Sequence, residues 1–290
     1  MRVCVIGAFG FLGTALTRHL CREHDVTAVG HAPGSALPLP EGVHAFHCDV
    51  RGLTSAGLRG YDAIVHLAGG GQSGGSVGDV EMALRDNLDS ARHVAMAAPP
   101  SCRLILASSI YVYGLGDRPF VESDPCAPDT LYGCMKLLAE QVWCKRGGIA
   151  LRFSHLYGAV EGVTWRDGVT ERLARAAATG GRFTRRGSGL QRLDLLHVED
   201  ARDVIGLALN ATRPGPLNIG SGSPVTLGDL IGTFGKEAPS LRTDCEAAPD
   251  QPDRALDIGV AQMSGWYPRV SLSNGVRGLV DAHRAGRQAA

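Results

Sequence analysis

Short apolar runs alternate with segments of helical pattern through about the first two-thirds of the chain. The apolar runs are Val3–Ile6, Val26–Val29, Ala63–Leu67, Leu104–Ala107 and Ile149–Phe153. Helices are predicted between them at Phe11–Arg22, Val80–Ala98 and Leu131–Cys144. This alternation is typical of βαβ units, in which helices cover both faces of a parallel sheet. The sequence therefore predicts an α/β fold with a doubly wound parallel sheet.

The alternation weakens after about Gly158, and a smaller mixed C-terminal lobe is predicted there. A strand at Leu193–Val198, a helix at Glu199–Leu209 and a strand at Leu217–Ile219 resume the pattern. We expect a first domain at 1–157, to which 193–221 return, and a second lobe formed by 158–192 and 222–290. A glycine-rich loop at 69–78 and a loop at 114–130 each follow a strand, where open α/β sheets bind ligands.

Composition places the chain among ordinary globular proteins. Its 290 residues are 44% hydrophobic and 20% charged, with 29 basic and 29 acidic side chains. No net charge attracts nucleic acid or an anionic membrane, so a small molecule is the expected partner. The eight cysteines lack the spacing of a zinc site or a disulfide framework, and no apolar stretch is long enough to span a membrane. We expect a cytoplasmic protein without a metal.

A glycine motif follows the first predicted strand and opens the first helix. It reads Gly7-Ala8-Phe9-Gly10-Phe11-Leu12-Gly13. Glycines at this spacing allow a tight turn that aims the N–H groups of a helix N-terminus at a pyrophosphate. An ordinary turn is the alternative interpretation.

The end of the second strand lacks the carboxylate that would bind a ribose 2′-hydroxyl. That position reads Val29-Gly30-His31, and Asp25 lies at the wrong end of the strand. Nothing there repels a 2′-phosphate, which His31 can accommodate unless it is a solvated loop residue. NADP is therefore slightly favoured over NAD.

Tyr132 and Lys136 lie four residues apart, on one face of a predicted helix. A nearby ammonium lowers a phenol pKa, as an acid/base tyrosine requires. Ser108 and Ser109 end the fourth strand, where a hydroxyl can bond to a substrate oxygen. A surface pair and a turn serine are the alternatives.

Several further motifs occur in a fixed order with these. They are His66-Leu67-Ala68-Gly69, Asn87, Ser108 to Gly114, Leu151 to Gly158, Leu196 to Asp200, Asn218 to Gly222 and Asp257 to Pro268. In this order the motifs resemble the extended short-chain dehydrogenase/reductase family, and more narrowly its NAD-dependent epimerase/dehydratase group. The resemblance covers nearly the whole chain.

The resemblance implies a Rossmann domain and assigns roles to individual residues. Ser109 would polarise the substrate oxygen, Tyr132 would be the acid/base, and Lys136 would hold the nicotinamide ribose and lower the tyrosine pKa. The cofactor-binding residues would be Gly7, Phe9, Gly10, Phe11, Leu12, Gly13, His31, Asp49, Val50, Leu67, Ala68, Gly69, Asn87, Tyr132 and Lys136. The substrate-binding residues would be Ser108, Ser109, Tyr111, His155, Arg192 and Arg254.

Departures from the family pattern narrow the expected reaction. Ile110-Tyr111 replaces the Asp-Glu pair of the dehydratases, so 4,6-dehydration lacks its proton carriers. Leu193 occupies the position of the arginine that binds diphosphate, and Arg192 lies one residue early. A nearby basic group can compensate or form a solvated face. It consists of Arg182, Arg185 and Arg186.

The favoured hypothesis is NAD(P)H-dependent reduction of a keto group on a nucleotide-diphosphate-linked deoxysugar. The alternatives are a nucleotide-sugar 4-epimerase with tightly bound NAD, a reductase of a small non-nucleotide carbonyl, and a non-catalytic dinucleotide-binding protein. The resemblance also implies a homodimer built by the helices at Val80–Ala98 and Leu131–Cys144.

Overall fold

The structure, a computed structural model, describes residues 1–31, 38–70, 77–160, 163–164, 168–250 and 253–288. The chain divides into two compact units. Unit 1 contains Met1–Gly114, Glu122–Phe153 and Arg202–Asn218. Unit 2 contains Leu115–Val121, Ser154–Ala201 and Ile219–Ala290.

Strands and helices occur along the whole of the described chain. The strands are β1 (Arg2–Ile6), β2 (Asp25–Gly30), β3 (His44–His47), β4 (Ala63–His66), β5 (Arg103–Ser109), β6 (Ile149–Phe153), β7 (His155–Tyr157), β8 (Ala159–Val160), β9 (Val163–Thr164), β10 (Arg182–Arg186), β11 (Arg192–Leu193), β12 (Leu195–His197), β13 (Gly215–Ile219), β14 (Val225–Thr226) and β15 (Arg242–Glu246). The helices are α1 (Phe11–Leu20), α2 (Val77–Ala83), α3 (Ser90–Ala97), α4 (Leu131–Lys145), α5 (Val169–Thr179), α6 (Val198–Ala208), α7 (Leu227–Glu237), α8 (Gly259–Met263) and α9 (Leu272–Gln288).

A seven-stranded sheet forms the centre of unit 1, in the order β13-β6-β5-β4-β1-β2-β3. Neighbouring strands from β6 to β3 pair in parallel. All residues of β4 and β6 are buried, as expected for strands covered on both faces. The predicted doubly wound parallel sheet of Rossmann type is therefore confirmed.

Each unit has its own apolar core. In unit 1, Trp143 of α4 and Val94 of α3 pack with the apolar side chains of the sheet. In unit 2, Leu173 of α5, Phe234 of α7 and Leu279 of α9 belong to one cluster. Small two-stranded pairings complete unit 2: β10 with β15, β11 with β14, β12 with β7, and β8 with β9.

Three local features differ from the sequence predictions. The strand β3 was not predicted, because all four of its residues are exposed and it has no apolar run. The predicted strand Leu193–Val198 is interrupted at Asp194, and its two parts pair with different partners. The predicted helix Val80–Ala98 contains a π-helical turn at Leu84–Asp89 between α2 and α3. Most of the predicted glycine-rich loop, 71–76, lies outside the described residues.

Within the described ranges, no helix is long and apolar enough to cross a membrane. All eight cysteines are free thiols.

Candidate active site

The turn between β1 and α1 is a close-packed backbone cradle. Gly7 has φ +82°, and its N–H donates to the Val29 carbonyl at 2.8 Å. A Cβ on Gly7 would overlap the backbone of Ala68, and a Cβ on Gly13 would overlap the Gly7 carbonyl oxygen. Glycine is therefore required at both positions, and the helix N-terminus can approach a phosphate closely.

The apolar members of the glycine motif have different surroundings. Phe11 and Leu12 are buried, so their side chains pack in the core and only their backbone can contact a ligand. Phe9 stacks on His47 of β3 with ring centroids 4.8 Å apart. The unpredicted strand β3 therefore supplies a wall beside the cradle.

A solvent-open groove adjoins the cradle. Its walls include six of the predicted cofactor residues. These are Gly7, His31, Asp49, Val50, Ala68 and Gly69. Two arginines that the sequence did not indicate, Arg51 and Arg85, also line it. Leu67 lies directly before Ala68 in the chain, and its N–H donates to the Ile6 carbonyl at 2.8 Å.

Asp49 is held by Arg51 at the exposed end of the groove. Its carboxylate accepts bonds from the Arg51 N–H at 2.9 Å, Nε at 3.0 Å and Nη2 at 2.5 Å. These bonds hold the pKa of Asp49 well below its usual range. Asp49 is thus a charged carboxylate that the Arg51 guanidinium and backbone N–H hold in place.

Asn87 lies on the π-helical turn, with its amide directed at the loop after β4. Its Nδ2 donates to the carbonyls of Gly70 and Ala83, each at 3.1 Å. Its buried Oδ1 has no hydrogen-bond partner within the described part of the chain. A Cβ on Gly69 would overlap this oxygen and would lie 3.2 Å from Lys136 Nζ. An unpaired buried acceptor beside an ammonium is a place for a ligand that supplies a donor.

These features fit a dinucleotide. The cradle that Cβ atoms would fill could hold the pyrophosphate, and the adjoining groove and the unpaired Asn87 oxygen could contact other parts of the cofactor.

The strand β5 and the helix α4 bring Ser109, Tyr132 and Lys136 together. Thr130 caps α4 by accepting a bond from the Gly133 N–H at 3.0 Å. Gly133 is required because a Cβ there would overlap the Tyr111 carbonyl oxygen. The first turn of α4 can therefore lie directly against the end of β5.

The hydroxyls of Tyr132 and Ser109 are hydrogen-bonded to each other. Burial raises the pKa of Tyr132 to about 12, which outweighs the lowering effect of the Ser109 hydrogen bond. The Tyr111 ring packs edge-on against Tyr132, with centroids 6.0 Å apart. The phenol is consequently protonated, and it can act as a proton donor.

Lys136 is buried beneath the tyrosine. Its Nζ donates to the Ala107 carbonyl at 3.0 Å and lies 5.6 Å from the centroid of the Tyr132 ring. Burial lowers the pKa of Lys136 to about 8, against the opposing effect of Glu140. At neutral pH the ammonium is charged and can stabilise a developing tyrosinate.

Ser108 and Ser109 are neighbours on β5, but their side chains face opposite sides of the sheet. The Ser108 hydroxyl donates to Glu140 Oε1 in the core. We therefore do not retain Ser108 among the substrate-binding residues.

A buried polar network extends from Ser108 and was not predicted. Arg152 of β6 donates from Nε to Glu140 Oε1 at 3.0 Å and from Nη2 to Oε2 at 2.7 Å. Arg152 Nη1 donates to the Tyr113 hydroxyl, which donates to Asn218 Oδ1, both at 2.7 Å. Glu140 has 2% and Arg152 4% of its surface exposed. A glutamate four residues after Lys136 was the available sequence signal.

Tyr111 lies in unit 1 beside Tyr132, whereas the predicted substrate residues His155, Arg192 and Arg254 belong to unit 2, which contains the buried Asp194. Its carboxylate accepts bonds from the N–H groups of Ser221 at 2.7 Å and Leu256 at 3.0 Å. The His155 N–H donates to the Asp194 carbonyl at 3.0 Å, and burial lowers the pKa of His155. Arg192 is exposed on β11, and the neighbouring Leu193 forms a bridge to Arg254. Asp194 thus organises the strand ends that carry these residues.

The basic group of β10 is largely paired. Arg182 contacts Asp244 at 2.7 Å and Arg186 contacts Glu246 at 3.4 Å, while Arg185 Nη2 donates to Cys245 Sγ at 3.2 Å. These pairs favour the solvated-face interpretation of the group over a diphosphate site.

The Rossmann sheet, the glycine cradle and the Ser109-Tyr132-Lys136 cluster define an NAD(P)-dependent enzyme of the extended short-chain dehydrogenase/reductase type. The model of the NAD dependent epimerase/dehydratase family matches residues 3–220, and the chain belongs to this family. The sequence-based resemblance is therefore confirmed.

Several relatives carry the names of enzymes that act on nucleotide sugars. One is the dTDP-6-deoxy-L-talose 4-dehydrogenase (NAD(P)(+)) of Kitasatospora kifunensis, 30% identical over 96% of this chain and 94% of the relative. The dTDP-4-dehydro-6-deoxyglucose reductase of Escherichia coli is 27% identical over 63% of this chain and 61% of its own. Among solved structures, MoeE5 in complex with UDP-glucuronic acid and NAD has a TM-score of 0.87 and 27% identity, covering 99% of this chain and 100% of its own.

Proposed function

We propose that the protein is an NAD(P)H-dependent ketoreductase that acts on a keto group of a nucleotide-linked deoxysugar. The observation that carries the proposal is the arrangement of Tyr132 beside Ser109, with the buried Lys136 Nζ 5.6 Å from the centroid of the Tyr132 ring. Reduction of a ketone consumes a proton at the carbonyl oxygen, and this phenol holds one. The talose 4-dehydrogenase relative interconverts an alcohol and a ketone of such a sugar, and the chain covers nearly its full length.

Each side chain has one task in this reaction. A nicotinamide cofactor, when bound, would supply the hydride that the keto carbon accepts. The Ser109 hydroxyl donates a hydrogen bond to the keto oxygen and polarises the carbonyl. Tyr132 transfers its proton to the same oxygen, so the ketone gains one hydride and one proton and becomes an alcohol. The Lys136 charge stabilises the tyrosinate until solvent returns the proton.

The cofactor proposal slightly favours NADP over NAD. No carboxylate stands at the end of β2, where Gly30 and His31 line the groove instead. Arg51 and Arg85 line the same groove, but each already pairs with a carboxylate there, Arg51 with Asp49 and Arg85 with Asp86, so the NADP proposal rests on the end of β2. His155, Arg192 and Arg254 of unit 2 remain predicted substrate-binding residues.

A homodimer is part of the proposal. Four large apolar side chains are exposed on the segments expected at the interface, namely Met82, Leu84, Met96 and Leu138. Sedimentation of the protein as a monomer at working concentration would contradict the proposed homodimer.

The second candidate is a nucleotide-sugar 4-epimerase. It is favoured by the NAD and UDP-glucuronic acid present in the MoeE5 structure. An epimerase returns the hydride to the same sugar and keeps its cofactor, whereas a reductase exchanges it each turnover.

The test begins with the cofactor that accompanies the purified protein. We expect denaturation to release little bound nucleotide. When a dTDP-4-keto-6-deoxysugar is supplied, we expect the protein to oxidise added NADPH, and to do so at a higher rate than it oxidises NADH. The sugar product should be one alcohol, formed in equal amount to the NADP⁺. Nearly one bound NAD per chain, with epimerisation of a UDP-sugar and no net oxidation of NADPH, would contradict the proposal and support the epimerase.

A further inference from the structure

The buried ammonium of Lys136 needs a counter-charge. Lys136 has 3% of its surface exposed, and burial disfavours its charged form. A lysine that lost its proton at neutral pH could not stabilise a tyrosinate. The surroundings of Lys136 therefore decide whether the site can act.

Three titratable groups face Lys136 from two elements. Tyr132 and Glu140 lie one turn before and one turn after it on α4, and His66 lies on β4. Burial, together with the Lys136 charge, lowers the pKa of His66 to about 3, so His66 is neutral. Tyr132 is also neutral, with its pKa raised to about 12. Among the described residues, Glu140 is the group whose charge favours the ammonium.

The Glu140 carboxylate is fixed by its own partners. Arg152 contacts both of its oxygens, and Ser108 of β5 donates to Oε1. Cys126 and Cys144 also face the pair, but burial raises the pKa of both thiols and leaves them neutral. Arg152 therefore keeps the carboxylate oriented, and Ser108 ties it to the strand end that carries Ser109.

We propose that Glu140 is a positioning residue of the active site: its carboxylate keeps the buried Lys136 ammonium charged, and through Ser108 it fixes the end of β5 that presents Ser109. Glu140 acts through these neighbours and does not touch substrate or cofactor. The inference deepens the proposed function, but the charge on Lys136 can be measured without turnover.

The composition of the chain makes this charge directly observable. The chain has three lysines, Lys136, Lys145 and Lys236, of which the last two are exposed. Protein labelled with ¹³C at lysine Cε should give three signals, which Lys145→Arg and Lys236→Arg assign by elimination. The chemical shift of each Cε reports whether its amine is protonated.

We expect Lys136 to titrate near pH 8 in the parent protein and about one pH unit or more lower in Glu140→Gln, a tenfold change in its acid dissociation constant. The direction follows because Glu140→Gln removes the favourable carboxylate and leaves Arg152 as an unbalanced positive charge. The charged form of Lys136 exists below its pKa, so the variant loses the ammonium at lower pH. An unchanged Lys136 titration in folded Glu140→Gln would overturn the proposal.

A second variant covers the case in which Glu140→Gln does not fold. Glu140→Gln combined with Arg152→Met removes both charges of the buried ion pair, so Arg152 no longer adds an unbalanced positive charge, and we expect a smaller shift in the same direction. Tyr113→Phe is the matched control: it removes one partner of Arg152 but leaves the Glu140 carboxylate, so the Lys136 titration should stay unchanged. A double variant with the parent titration would also contradict the proposal.

The activity measurement distinguishes this inference from the proposed function. If the protein reduces the keto sugar, kcat should fall as the pH is raised and Lys136 loses its proton. In Glu140→Gln this fall should begin at a lower pH than in the parent protein. A loss of kcat that is uniform across pH would indicate a merely structural role. If the protein reduces no keto sugar, the lysine titration still decides the role of Glu140.

Discussion

Two arginine–carboxylate pairs in this protein have the same contact distance, but one pair is buried and the other is exposed to solvent. In unit 1, Arg152 and Glu140 meet at 2.7 Å with side chains 5% and 2% exposed. In unit 2, Arg182 and Asp244 also meet at 2.7 Å, but their side chains are 59% and 43% exposed. Burial makes the first pair costly to break, whereas solvent screens the second. The distance alone therefore does not show which pair matters to the protein.

The surroundings of the two pairs explain the difference in role. Glu140 of the buried pair lies one helical turn after Lys136 and accepts a hydrogen bond from Ser108 at the end of β5. A change in the pair can therefore affect the candidate catalytic residues. The exposed pair joins β10 to β15 across a two-stranded sheet. We expect substitutions in the first to change both stability and chemistry, and substitutions in the second to change neither.

The largest expected effect on stability is that of Arg152→Met. The substitution leaves the Glu140 carboxylate buried without its bidentate partner, so the free energy of unfolding should fall by about 3–5 kcal/mol. Urea unfolding followed by circular dichroism measures this. A loss below about 1 kcal/mol would mean that the network is hydrated or rearranges, and would break the comparison.

The smallest expected effect is that of Arg182→Met, the matched control for the same chemical change. Arg182 and Asp244 keep full access to water when the pair is broken, so the urea midpoint should remain that of the parent protein. A drop comparable with that of Arg152→Met would show that exposure does not distinguish the two pairs. The same variant should retain keto-sugar reduction, because its pair lies on the solvated face of β10.

The parts of the fold that the sequence predicted are those with local signals. The glycine motif and the Tyr132-x-x-x-Lys136 spacing each lie within one turn or helix, and β1, β4 and β6 are short, mainly apolar segments. Glycine also marks close backbone contacts, as Gly13 does against Gly7. Such features depend on neighbouring residues and can be identified without the three-dimensional structure.

The missed parts depend on residues distant in sequence. Ser108 and Glu140 are 32 residues apart, and Tyr113 and Asn218 are 105 apart. The strand β3 has no buried residue, so it gives no hydrophobic pattern. The break at Asp194 arises because its carboxylate binds the backbone of two distant segments. In each case tertiary contacts decide the structure, and no local propensity reports them.

The most direct test of the proposed function is Tyr132→Phe. The substitution removes the hydroxyl and its proton while keeping the ring over Lys136. We expect keto-sugar reduction to fall by about 10²–10⁴-fold, because the proton donor of the reaction is lost. NADPH binding, measured by fluorescence titration, should stay close to that of the parent protein and serves as the control for folding. Full retention of keto-sugar reduction by a variant that binds NADPH normally would contradict the account, since no role would then remain for the Tyr132 phenol.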